Sequence, residues 1–164
     1  MPAGEQFRKW YPGLIPIEEQ LWRAWLHEHE LEFDGFDYNV HVGEGVRVRA
    51  AALEGMPELQ ESNARQFLDA TRKKVDCVGY RPGETWVFEV EERPGHRALG
   101  QLLFYEHALP KAIAVDKQIQ LCLICARIGP DQLAVFESQG VLVFQVTLGP
   151  TPGSGVLSSY RQPR

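Results

Sequence analysis

The sequence contains no apolar run close to the roughly 20 residues that a membrane-spanning helix requires. Its first residues, MPAGEQFRKW, do not have the pattern of a signal peptide. Its three cysteines all stand in apolar stretches, which is typical of buried thiols in a reducing compartment. The formal net charge of −5 argues against a sequence-independent polyanion binder with a basic tail. We therefore expect a cytoplasmic protein without a membrane segment.

Two short motifs are too incomplete to predict a metal site. His27 and His29 do not have the i,i+4 spacing of a metalloprotease helix. Cys122 and Cys125 have the spacing of zinc or redox motifs, but those motifs need a turn or a helix start around the thiols. The surrounding QLCLICARI instead predicts a strand buried on both faces. We interpret both cysteines as core residues.

The length of 164 residues predicts one domain with a core of its own. Residues 1–16 contain three prolines and two glycines and are expected to form an irregular arm. Residues 17–148 are predicted to form the domain. The Pro/Gly/Ser-rich residues 149–164 are predicted to be a tail that is flexible or held by a partner.

Hydrophobic periodicity predicts an α/β (α+β) domain in which helices flank a mixed sheet. The predicted order is α-β-β-β-α-β-α-β, with an additional extended segment at residues 46–50 and an ambiguous stretch at residues 51–71. The expected elements are a helix at 17–29, a strand at 36–42, a hairpin around Pro82 and Gly83, a helix at 96–109 that ends before Pro110, a strand at 120–128, a helix at 130–140 and a strand at 141–148.

Acidic residues share one face of the predicted hairpin. For a bend at Pro82-Gly83, the numbers of opposed residues sum to 165, so Asp76 lies opposite Glu89 and Lys74 opposite Glu91. The Cβ atoms of opposed residues are about 5 Å apart. Two carboxylates at that distance raise each other's proton affinity, and a divalent cation between them removes the penalty. Oxygen ligands at this spacing suit Mg²⁺ or Mn²⁺.

These residues resemble the motifs of the PD-(D/E)XK nuclease superfamily, in particular its RecB-like and Holliday-junction-resolvase-like branches. The pattern is an aspartate on one strand, Glu-x-Glu on the next, and Gln-x-x-x-Tyr on the following helix. Residues 72–125 cover the hairpin, the helix and the following strand of the superfamily's αβββαβ core. The resemblance therefore implies a restriction-endonuclease-like fold. The matching positions are Asp76 (metal-binding aspartate), Glu89 (first motif acid), Glu91 (in place of the usual lysine), Gln101 and Tyr105 (helix motif), and Glu19 (the additional acid of some branches).

The activity that the resemblance implies is Mg²⁺- or Mn²⁺-dependent hydrolysis of DNA phosphodiester bonds by an endonuclease or resolvase. Asp76, Glu89 and Glu19 would hold the metal. Glu91 would orient or deprotonate the attacking water, with Lys74 supplying the missing positive charge. The basic residues expected to bind DNA phosphates are Arg72, Lys73, Arg81, Arg93 and Arg97.

A second hypothesis assigns these residues structural roles only. Lys74 and Glu91 would form a cross-strand ion pair worth under about 1 kcal/mol, and Gln101 and Tyr105 would pack the helix against the sheet. The motif lysine is absent, and folds outlive their functions. In this hypothesis the chain is a bacteriophage virion component, such as a head-to-tail connector, a neck protein or a tail adaptor. It would form an oligomer and bind protein partners through its two arms.

Overall fold

The computed structural model describes residues 8–45, 65–66, 68–115 and 118–149, together with the backbone of residues 157–160. The predicted strand at 46–50 lies outside these residues, as does most of the ambiguous stretch at 51–71, of which residues 65, 66 and 68–71 are helical. The elements are α1 (Pro16–His29), a 3-10 turn (Glu30–Glu32), β1 (Gly35–Val42), β2 (Lys73–Arg81), β3 (Glu84–Glu91), α2 (His96–Ala112), β4 (Gln118–Cys125), α3 (Pro130–Ser138), β5 (Leu142–Thr147) and β6 (Leu157–Tyr160).

The strands form one mixed sheet in the order β1-β2-β3-β4-β5-β6. The pairs β1–β2, β2–β3 and β5–β6 are antiparallel, whereas β3–β4 and β4–β5 are parallel. Each parallel connection runs through a helix, as parallel neighbours require. The predicted α/β class with a helix-flanked mixed sheet is confirmed. The elements with assigned bounds from α1 to β4 follow the predicted order, with the helical residues 65, 66 and 68–71 between β1 and β2.

Helices cover both faces of the sheet. The apolar stripe of α1, Leu21, Trp22, Trp25 and Leu26, is buried against inward side chains such as Phe88 and Phe144. The side chains that alternate with these, including Val87 and Leu123, pack with α2 and α3. Because neighbouring strand residues point to opposite faces, α1 lies on one side of the sheet and the other two helices on the other.

Both predicted ends contain residues that belong to the fold. Tyr11 and Leu14, from the predicted arm, are buried in the cluster around α1. The backbone of β6, from the predicted tail, pairs with β5.

Helix α2 continues past the expected stop before Pro110 and ends at Ala112. Pro110 is exposed, so the helical hydrogen bond that it cannot donate is lost where water is available.

The hairpin register is confirmed over its paired length. The pairs run from Arg81 opposite Glu84 to Cys77 opposite Phe88. The bend places Gly83 at a φ of +79°, a backbone conformation that favours glycine. The β2–β3 pairing ends at Cys77 and Phe88, immediately before Asp76.

A local reversal of side-chain direction occurs at the same point in β2. Cys77 packs with the α1 cluster, but Val75, two residues earlier, packs with α2. Neighbouring β1 has an unpaired residue, Asn39, directly opposite Asp76, and Asn39 has a φ of +54°. One residue in the left-handed region thus reverses the faces of both strands without changing their register. Because Val75 faces α2, the side chain of Lys74 next to it points to the opposite face of the sheet.

Cys122 and Cys125 are free and buried, on opposite faces of β4. Burial raises the pKa of both thiols. They are core residues, as expected. No helix among the described residues combines the length and the apolar character needed to cross a bilayer.

Candidate functional site

An acidic cleft of about 380 Å³ opens where β2 leaves β3. Its walls come from the arm, the start of α1, the ends of both strands, the loop after β3 and the first turns of α2. The polar side chains among its lining are Glu18, Asp76, Glu89, Glu91, Glu92, Arg93, Arg97 and Gln101. The sequence-predicted residues Asp76, Glu89, Glu91, Arg93, Arg97 and Gln101 are thus brought together.

Asp76 lies immediately beyond the last paired residues of β2 and β3. Its Oδ2 accepts a hydrogen bond from the backbone N–H of Val90 at 2.9 Å, so its side chain satisfies a donor near the point where strand pairing ends. Burial raises the pKa of Asp76 to about 7, and the carboxylates of Glu18 and Glu91 also raise it, while the bond from Val90 opposes the shift. The carboxyl therefore binds a proton more tightly than an ordinary aspartate.

Glu89 is the most deeply buried acid of the cleft, with 4% of its surface exposed. Its Oε2 has no hydrogen-bond partner in the part of the chain that is described. Burial raises the pKa of Glu89 to about 9, and the charges of Asp76, Glu91 and Glu18 raise it further, while Arg97 lowers it. A buried, unpartnered carboxylate oxygen is costly unless a proton or a cation satisfies it.

Arg97, rather than Lys74, supplies the positive charge next to Glu91. Burial raises the pKa of Glu91, and Arg97 lowers it. Lys74 is exposed, and no ion pair between Lys74 and Glu91 is found among the described residues. The predicted Lys74–Glu91 pair is therefore wrong, because the strand reversal at Asp76 turns Lys74 away from the cleft.

The acid that α1 contributes to the cleft is Glu18, not the predicted Glu19. Glu19 forms an ion pair with Arg23, one helical turn later, at 2.6 Å. Glu18 lines the cleft, and its Oε2 accepts a hydrogen bond from the backbone N–H of Ile15 at 2.9 Å. Burial raises the pKa of Glu18. The sequence signal that could have identified Glu18 is its place three residues after the helix cap Ile15. A glutamate at that position reaches back to the backbone N–H of the cap residue.

Gln101 and Tyr105 form a hydrogen-bonded chain from the cleft to β2. The Gln101 amide donates to the Tyr105 hydroxyl at 3.1 Å, and that hydroxyl donates to the carbonyl of Lys74 at 2.8 Å. The Gln101 Oε1 is buried and has no partner among the described residues. Tyr105 thus fixes α2 to the sheet, while Gln101, which lines the cleft, keeps an unsatisfied acceptor.

The five predicted DNA-binding residues do not form one surface. Arg93 and Arg97 line the cleft, and Lys73 is exposed at the start of β2. Arg72 lines a different cavity. Arg81 lies over the rings of Phe33 and Trp86 and pairs with Glu32. The side chain of Arg81 is therefore committed to a structural cluster, which forms because Phe33 packs against Trp86.

The donor atoms of the cleft fit a hard divalent cation only in part. No three carboxylates, thiols or imidazoles of the described residues converge closely enough to form a complete metal site. The cleft does offer oxygen donors from Asp76 and Glu89, including the unpartnered Glu89 Oε2. Mg²⁺ commonly binds through one or two carboxylates and completes its shell with water and substrate phosphates. Asp76 and Glu89, with Glu18 in the same cleft, are consistent with Mg²⁺ bound through one or two carboxylates.

No protein-family model, curated protein or solved structure matches this chain.

Proposed function

We propose that the chain is a metal-dependent deoxyribonuclease of the PD-(D/E)XK type, acting as an endonuclease or resolvase. The observation that supports this most strongly is the buried, unpartnered Glu89 oxygen in a cleft that also contains Asp76 and Glu91. A purely structural carboxylate would have a donor beside it. Acids whose pKa is raised by burial and by like charges cluster at functional sites.

The chain's own groups take distinct roles in this proposal. Asp76 and Glu89 would hold Mg²⁺ or Mn²⁺, with Glu18 as a further acid in the same cleft. When bound, the cation supplies charge stabilisation at the scissile phosphate and lowers the pKa of a bound water. Glu91 accepts the proton of the attacking water, for which its raised pKa is suitable.

Arg97 and Gln101 complete the site from α2. Arg97 balances the excess of acids and offers hydrogen-bond donors to a phosphate. The Gln101 Oε1, which is unpartnered among the described residues, would accept a hydrogen bond from the attacking water. Both side chains project from the first turns of a helix that Tyr105 fixes to β2.

Cleavage assays test this proposal. Linear, branched and single-stranded DNA are incubated with Mg²⁺ or Mn²⁺, and Ca²⁺ serves as a cation that supports binding but not cleavage. Asp76→Asn keeps the size of the side chain and is expected to lower the cleavage rate at least about 100-fold. Asp131→Asn, an exposed acid on α3, is the matched control. Absence of cleavage of every substrate, or equal rates for both variants, would contradict the proposal.

A second candidate function is a catalytically inactive virion component of a bacteriophage, such as a connector, neck protein or tail adaptor. Glu91 stands where the motif lysine is expected, and Lys74 does not replace that charge. Trp10 in the arm is 64% exposed, which favours a contact with another protein. Light scattering tests this candidate: an oligomer that Trp10→Ser dissociates supports it, and a monomer that cleaves DNA contradicts it.

A further inference from the structure

A second cavity, of about 550 Å³, lies beside the C-terminal half of α2. This volume is typical of sites for small ligands. We call it the basic cavity, because its charged lining contains two cationic side chains and one carboxylate. Its polar and aromatic lining consists of Gly43, Glu44, Arg72, Phe104, His107 and Lys111.

Phe104 is an exposed aromatic residue whose ring edge lies next to Gly43. Its side chain is 41% exposed, although it lies directly on the chain that follows β1. A Cβ atom added at Gly43 would be 3.0 Å from the Phe104 Cζ, and Gly43 has a φ of +77°. Only glycine satisfies both conditions without strain. The ring therefore rests on backbone and exposes apolar surface to the cavity.

The cationic groups of the basic cavity are oriented by hydrogen bonds. The Arg72 Nε donates to the carbonyl of Gly43 at 2.9 Å, and its Nη1 lies 3.8 Å from the Asp69 carboxylate. The Lys111 ammonium donates to the His107 Nε2 at 2.9 Å. Each cation retains further donors, since a guanidinium has five N–H groups and an ammonium has three.

The basic cavity and the acidic cleft open on the same side of α2. At 100° per residue, Arg97, Gln101, Phe104 and Lys111 fall within about 80° of one another around the helix. Arg97 and Lys111 are separated by about 21 Å along its axis. A stacked strand advances about 3.4 Å per nucleotide, so this distance corresponds to about six nucleotides.

We infer that the basic cavity binds one nucleotide of a single-stranded nucleic acid, with a base stacked on Phe104 and phosphates bound by Arg72 and Lys111. Aromatic platforms combined with cationic side chains are the general chemistry of single-strand recognition. The inference rests on the proposed function, since a strand that enters the acidic cleft would reach this cavity along α2. It adds a contact distant from the reacting phosphate.

Binding of a fluorescent 12-nucleotide oligothymidylate, measured by anisotropy in the presence of a chelator, tests this inference without any cleavage. Phe104→Ala is expected to weaken binding at least about fivefold, which is the lower end of base stacking on an aromatic side chain. Lys111→Gln is expected to reduce the slope of log K against log salt by about 0.7, the value for one single-strand phosphate contact. The controls are Leu103→Ala, an exposed apolar neighbour on α2 outside the cavity lining, and Arg127→Gln, an exposed arginine beyond β4.

The outcomes separate this inference from the nuclease proposal. Binding that depends on Phe104 and Lys111, in a protein that never cleaves, would support the inference and contradict only the proposed catalysis. Cleavage that depends on Asp76, with binding that Phe104→Ala and Lys111→Gln leave unchanged, would overturn only the inference. If thymidine monophosphate displaces the oligothymidylate at a concentration similar to that of the oligothymidylate itself, the assignment to a nucleic-acid strand would be overturned. The cavity would then be a site for free nucleotides.

Discussion

The acidic cleft and the basic cavity lie along one helix but differ in how their polar atoms are satisfied. In the acidic cleft, the Glu89 Oε2 and the Gln101 Oε1 are buried and have no partner among the described residues. In the basic cavity, Arg72 and Lys111 are each held by a hydrogen bond at 2.9 Å. Unpaired buried acceptors cost free energy that a proton or cation recovers. Partnered cations near the surface carry little such cost.

This difference predicts two kinds of behaviour. The acidic cleft should respond strongly to metal ions and to pH, because its acids are held in a state that needs a positive charge. Ligand binding in the basic cavity should respond to substitutions that change the shape of the cavity and to salt concentration. The reason is that its cationic side chains are already held in position by hydrogen bonds.

The largest expected difference is in stabilisation by metal. At pH 8, Mn²⁺ at about 100 times its dissociation constant should raise the free energy of unfolding by about 2.7 kcal/mol, or roughly 5–10 °C in melting temperature. Glu89→Gln should abolish this effect in differential scanning fluorimetry, whereas Lys111→Gln should retain it. Equal stabilisation of both variants would show that the cation binds outside the acidic cleft.

The source of positive charge in the acidic cleft gives the next largest effect. Arg97→Gln should lower the cleavage rate about 10- to 100-fold, by analogy with the removal of one charge-stabilising donor. Because Arg97 lowers the pKa of Glu91, its loss should also move the acid limb of the pH–rate profile to higher pH. Lys74→Gln should change neither quantity. A larger effect from Lys74 would restore the predicted strand lysine as the charge donor.

Gly43→Ala should disturb the basic cavity and leave the acidic cleft intact. A left-handed alanine and its contact with Phe104 should together cost about 1–2 kcal/mol in unfolding free energy, measured by urea denaturation. Gly100→Ala is the matched control, because a Cβ there meets nothing within 4 Å and alanine favours the helix by about 0.5–1 kcal/mol. Stabilisation by Mn²⁺ should be unchanged in both variants, and its loss in Gly43→Ala would mean that the two sites are coupled.

The smallest effect concerns stability against pH in the presence of a chelator. The pKa values of Asp76 and Glu89 are raised in the folded protein, to about 7 and about 9. Their contribution to stability is therefore full below the ordinary carboxyl pKa and is lost as the pH rises through the folded values. Between pH 5 and pH 9 the wild type should lose at least about 1 kcal/mol more than Glu89→Gln. The unfolding free energy is followed against pH from the midpoints of urea denaturation. Parallel curves for the wild type and Glu89→Gln would contradict the expected difference.

The hairpin and its acids could be predicted because the information is local. The bend at Pro82-Gly83 and the alternation of apolar residues fix the register of β2 and β3, which places Asp76 next to Glu89. The helical spacing of Gln101 and Tyr105 fixes their common side of α2 in the same way. Each of these inferences depends only on neighbours in sequence and on the periods of a strand and a helix.

The remaining features depend on contacts between distant segments. Lys74 could not be placed, because the reversal in β2 originates in one residue of β1, Asn39. The choice between Glu18 and Glu19 depends on where α1 begins and on how the arm crosses it. Arg81 is held by Phe33, from a different part of the chain. Propensity indicates neither the reversal opposite Asn39 nor the contact between Arg81 and Phe33.

The rim of the acidic cleft is built on two touching residues that are both in the left-handed region. Gly13, in the cleft wall, has a φ of +90°, and a Cβ added there would be 3.1 Å from the Asn39 Oδ1. Asn39 is also the residue of β1 that lies opposite Asp76 of β2, at the position where these two strands are not paired. A bulkier residue at position 13 would displace the side chain of Asn39, so the residue that position 13 tolerates depends on the residue at position 39. Compensating replacements at these two positions are the covariation that homologous sequences should show.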